Sequence, residues 1–153
     1  MKESVMTHAD AGGYAAKHPS GMVVEEKLAK AVRDEAVQGK IACAQAERIS
    51  ANLGISLKEV GVAADLLEIR IKNCQLGLFG YPKDKFPGGK TVEPAKEVMP
   101  DMEAAIRARL VEGKLSCKAA WDIAAERTLS KMAVSAACEN LKIRIKPCQL
   151  GAF

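Results

Sequence analysis

Arg70 and Lys72 alternate with Ile69 and Ile71, and Lys142, Arg144 and Lys146 alternate with Ile143 and Ile145. A period of two sorts side chains onto opposite faces of an extended chain, so each stretch predicts a strand with one apolar and one cationic face. Cations in such a row can neutralise the phosphates of a duplex backbone, and they equally serve to keep an edge strand soluble. Two residues beyond each row stands a cysteine, Cys74 or Cys148. If the strand stays regular its thiol shares the cationic face, where nearby positive charge favours thiolate and opens redox or metal chemistry; Pro147 can break that parity. The plainer role is a small buried hydrophobe.

The two stretches belong to one phrase written twice, IRIKNCQLGLF at 69–79 and IRIKPCQLGAF at 143–153. Sliding the chain against itself by about 74 positions lays 28–79 over 102–153 with about 22 identities and no gap, which marks an internal duplication. Arg33 meets Arg107, Gly39-Lys40 meets Gly113-Lys114, and Cys43 meets Cys117. The expected organisation is a flexible tail at 1–23, a first repeat at 24–81, a linker at 82–100 and a second repeat at 101–153. The linker carries enough proline and glycine to exclude regular helix through most of it, with room for a hairpin at Gly88-Gly89.

Within the first repeat, Val24, Leu28, Ala31, Val32 and Ala36 recur at helical spacing, and Gly39 suits a left-handed residue ending that helix. Cys43, Ala46, Ile49 and Leu53 make a second stripe. Ser56 followed by Glu59 is a capping box that opens a third helix running to about Leu67, with Val60, Ala63, Ala64 and Leu67 inward. The second repeat keeps the plan, with Asp101 as N-cap of its first helix, Ala120 and Ile123 in the next, and Val134, Ala137 and Leu141 after it. Each copy of the phrase is then the strand that leaves a third helix. Its Gly77 or Gly151 lets the chain bend and return Phe79 or Phe153 to the core. A further role for the doubled phrase is a self-complementary junction. Trp121, which matches Glu47, predicts a contact between repeats.

In ISANLGISLKEV, Gly54 supplies the positive φ between two helices while Ile49, Leu53, Ile55 and Val60 fix their crossing. This resembles the helix-turn-helix superfamily, and the helix before it and β segment behind it make each repeat similar to a winged helix. The expected fold is mainly α with short β segments, as tandem duplicated winged-helix-like domains. Thr128 stands where Gly54 stood, and a β-branched residue resists positive φ, so the second turn is expected to be reshaped or strained. No second wing strand fits after Phe153, and each strand is left to pair with the segment around Ile41 or Leu115, or with its counterpart in the other repeat.

The resemblance implies a DNA-binding, regulator-like protein whose third helix enters the major groove. Outward positions on that helix are Leu57, Lys58, Gly61, Val62 and Asp65 in the first copy and Lys131, Met132, Ser135, Ala136 and Glu139 in the second. These lack the Arg, Asn and Gln that read base edges, which equally suits a protein-interaction or assembly module, including a homodimer. The residues expected to meet duplex DNA are therefore Lys58, Arg70, Lys72, Lys131, Lys142, Arg144 and Lys146. A thiol or metal sensor at Cys74 and Cys148 is a third reading. Cys43, Cys117 and Cys138 fall on core stripes.

The chain has 153 residues and a formal net charge of +4, too small by itself to mark a nucleic-acid binder. Aromatic residues make up 4%, so the cores must be built of aliphatic side chains. Five cysteines without a CxxC pair, no apolar run of membrane length and no apolar leader predict a cytoplasmic protein with reduced thiols and no membrane partner. The only histidines, His8 and His18, lie in the tail, giving no spacing for zinc. With no phosphate-binding glycine loop and no nucleophile–base spacing, neither an enzyme nor a cofactor is expected.

Overall fold

The computed structural model describes residues 14–18 and 21–153. The remainder of the expected tail, His8 included, lies outside the described residues. The chain is mainly helical with one small two-stranded sheet. Its helices are α1 (Glu26–Glu35), α2 (Cys43–Leu53), α3 (Leu57–Leu66), α4 (Pro100–Arg107), α5 (Cys117–Arg127) and α6 (Lys131–Leu141), and its strands are β1 (Lys40–Ala42) and β2 (Arg70–Lys72). Short 3-10 turns occupy Tyr14–Lys17 and Pro87–Gly89. Among the described residues no helix is long and apolar enough to cross a membrane.

Contacts divide the described chain into two compact units, one of residues up to Cys74 together with Leu150–Phe153, the other Gln75–Gln149. The divide falls inside each copy of the doubled phrase, away from the linker expected at 82–100. The first half of the phrase stays with its own three helices, and its Leu-Gly end belongs to the unit built on the other copy. Leu150 is 4% exposed in the first unit and Leu76 fully buried in the second. Each leucine contributes about 2 kcal/mol of apolar burial to a core that its own repeat does not provide.

In the first unit, Val32, Ile41, Ala46, Ile49, Val60, Ala64 and Ile71 form the core. The α1 helix is shorter than its apolar stripe predicted: it ends at Glu35, and Ala36 leaves in extended conformation. Gly39 is not its cap. With Gln38 it forms a two-residue turn, both at positive φ (52° and 75°), closed by reciprocal backbone bonds between Val37 and Lys40. That turn delivers the chain into β1, which pairs with β2 in parallel, Ile41 opposite Ile71. Of the pairings left open for the strand, the one with the segment around Ile41 is realised. The two strands being parallel, no hairpin wing follows α3. Helix α2 ends on Gly54 at φ 66°, and Ser56 and Glu59 exchange the two bonds of the capping box at 3.1 and 3.2 Å.

The second unit repeats several of these conformations at matching positions. Glu112 and Gly113 make the turn of Gln38 and Gly39, Lys142 takes the left-handed conformation of Glu68, and Leu115 bridges Ile145 in parallel. Thr128 keeps the left-handed geometry of Gly54, at φ 55°. The turn is strained rather than reshaped, and it is held by the Leu129 amide donating to the Ala124 carbonyl at 2.9 Å. At α4 the cap differs from expectation: Met99 is the N-cap and Pro100 occupies the first helical position, where a missing N–H costs nothing. No hairpin forms at Gly88-Gly89, which lie in the 3-10 turn, and Val92 beyond them is buried in the core.

Candidate nucleic-acid interface

The strand alternation is realised in both units. Ile71 is buried between half-buried Arg70 and Lys72, while Ile143 and Ile145 are buried between exposed Lys142, Arg144 and Lys146. Parallel pairing then adds a cation that the periodicity did not single out. Lys40 is the direct cross-strand partner of Arg70, and the bridge of Leu115 to Ile145 sets Lys114 beside Arg144. Like charges opposite one another in a ladder are destabilising, yet both copies keep this Lys–Arg pair. The identity of Gly39-Lys40 with Gly113-Lys114 was the available signal.

Charge is divided unequally. Residues 75–149 hold 13 Lys and Arg against 9 Asp and Glu, a surplus of +4 that equals the whole chain's, because the remaining residues hold 10 of each. Within that unit five of the nine carboxylates pair with cations away from the strand: Glu103 with Arg107, Glu126 with Arg109, Asp122 with Lys118, Asp101 with Arg127 and Glu139 with Lys90. Lys114, Lys142, Arg144 and Lys146 form no ion pair with any described carboxylate, which leaves a strand edge of uncompensated positive charge.

The third helices are placed differently. Lys58 is exposed near the start of α3, but Gly61 and Asp65, expected on its outward face, are buried. Gly61 is pressed against the Leu150 backbone so closely that an added Cβ would collide with the Leu150 carbonyl. Asp65 accepts from Lys17 Nζ at 3.0 Å and His18 Nε2 at 2.9 Å. Lys17 Nζ also donates to the Gly151 carbonyl at 3.2 Å, so the Tyr14–Lys17 turn and the Leu150-Gly151 segment lie over this face. On α6, Ser135 matches Gly61 and is fully buried, with its hydroxyl unpartnered. Gly77 leaves room there for the Met132 methyl, and the Ala136 carbonyl accepts from the Ala95 amide. Lys131 donates to Gln75 Oε1 at 3.1 Å and sits 3.9 Å over the Trp121 ring, which makes it a packing cation. Trp121 therefore meets a residue of its own repeat across α5 and α6.

The cysteines follow burial more than parity. Asn73, at φ 49°, turns the chain after β2, so Cys74 enters the core and leaves the face of Arg70 and Lys72. Cys148 is half-exposed, and Cys43, Cys117 and Cys138 are buried as their stripes predicted. Burial in α6 pushes the Cys138 thiol up to about 11, with neighbouring Glu139 adding to the effect. Among the described residues no three of His, Cys, Asp and Glu gather as metal ligands. Comparison with protein-family models, curated proteins and solved structures gives no match for the chain.

Proposed function

We propose that this is a DNA-binding, regulator-like protein of two winged-helix-like units that grips the duplex backbone through its strand cations. The observation that carries this reading is the uncompensated edge of Lys114, Lys142, Arg144 and Lys146, in a unit where Lys90, Arg107, Arg109, Lys118 and Arg127 are each matched by a carboxylate. Such an edge neutralises phosphates and releases counterions without reading sequence. Arg70, Lys72 and Lys40 form the corresponding, less exposed edge of the first unit. Because Gly61, Asp65 and Ser135 are buried, the contact proposed is backbone attachment, with Lys58 the one expected α3 cation standing in solvent.

The test is a fluorescence-anisotropy titration of a random-sequence duplex at several salt concentrations. Binding that weakens linearly on a log–log plot with a slope of about −3 to −4 fits four phosphate contacts. The second reading, an assembly module, draws support from the third helices, each of which already receives a Leu-Gly segment. No binding at low salt would favour it.

A further inference from the structure

Cys148 has another cysteine close by whose helical stripe predicts only a core role. Cys117 opens α5; its amide donates to the Pro147 carbonyl at 3.0 Å, and its Sγ accepts from Gln149 Nε2 at 3.5 Å. Both chain neighbours of Cys148 are thereby fastened to Cys117. The backbone bond alone keeps the Cα atoms of Cys117 and Cys148 within about 7 Å, a span that a disulfide can close. In the first copy β1 and β2 end side by side at Ala42 and Lys72, one residue before Cys43 and two before Cys74.

We propose that Cys117 and Cys148 are a redox pair that closes to an intramolecular disulfide on meeting a small disulfide oxidant, with Cys43 and Cys74 as its buried counterpart. Cys148, half-exposed, is the entry point, and Cys117, buried beside it, is the resolving thiol. The Cys148 thiolate attacks one sulfur of the oxidant, forming a mixed disulfide and expelling a thiolate. The Cys117 thiolate then attacks Cys148 Sγ, forming the internal bond and expelling the second thiolate. The two leaving thiolates take up the two protons that the cysteines lose, and two electrons pass from the pair to the oxidant. This inference does not depend on nucleic-acid binding.

The reduced, folded full-length chain would be incubated with oxidised glutathione, quenched in acid and mapped by peptide mass spectrometry. The expected product carries a Cys117–Cys148 bond with little glutathione left on Cys148. In Cys117→Ser, glutathione stays on Cys148 and its loss slows by about tenfold or more. Lasting glutathione on Cys148 of the unsubstituted chain, a bond from Cys148 to any other cysteine, or no reaction at either site would overturn the proposal. The mapping of the unsubstituted chain decides this even where the variant fails to fold.

Discussion

Thr128 holds at φ 55° a conformation that glycine holds at the matching position, Gly54. For a β-branched residue this backbone costs on the order of 1–3 kcal/mol, while glycine gives back part of that gain through its more flexible unfolded chain. Thr128→Gly is expected to stabilise the second unit by about 1 kcal/mol, read as a rise of a few degrees in its melting by calorimetry. Cys138 illustrates the opposite situation, a residue at ease in the fold and inert because of it. With its thiol pushed up to about 11 from 9.0, only about a thousandth is thiolate at pH 8, so iodoacetamide should label it far more slowly than in the denatured chain. Its folded form holds the proton more tightly than the unfolded form. Its contribution to stability is therefore complete below pH 9 and is lost as the pH rises from about 9 to about 11, which denaturant midpoints across that range would record.

At the scale of elements, Gly61 gives the clearest sign test. A glycine on an exposed helix face is improved by alanine by about 1 kcal/mol, whereas here the added methyl meets the Leu150 carbonyl. Gly61→Ala is expected to destabilise the first unit by about 1–2 kcal/mol in chemical denaturation, overpacking outweighing helix propensity. Much of the element plan was legible in the sequence, because its signals are local: the Ser56–Glu59 box, Gly54 between helices, and isoleucines alternating with cations. The faces of α3 and α6 were not. A helical period fixes which residues share a face but says nothing of what covers it, so Gly61 and Asp65 read as outward until Leu150 and the Tyr14–Lys17 turn are seen over them. A glycine amid good helix formers was the one local hint of a close approach. The role of Gly39 was misread for a related reason, since a positive-φ residue suits a helix cap and a two-residue turn equally well, and the backbone bonds between Val37 and Lys40 decide for the turn.

At the scale of the molecule, duplication has produced two cores, each completed by the phrase of the other copy through Leu76 and Leu150. This exchange leaves no periodic trace, because local pattern cannot tell which of two equivalent cores a leucine enters. Removing residues 150–153 should cost the first unit about 2–3 kcal/mol, from lost apolar burial and an uncovered α3, and leave the second unit unchanged. Hydrogen exchange at the α3 and α6 amides would separate the two. The proposed activity is likewise a property of distribution, since a modest total charge is concentrated in the unit where five ion pairs occupy helical and linker cations and leave the strand edge bare. The decisive measurement compares the salt dependence of duplex binding for two double variants. Arg144→Ala with Lys146→Ala should reduce the log–log slope by about 2 and weaken binding alike on all sequences, whereas Arg107→Ala with Arg109→Ala, whose cations already face Glu103 and Glu126, should leave the slope unchanged. Equal losses from both variants, or none from the strand pair, would contradict backbone attachment through the strand edge.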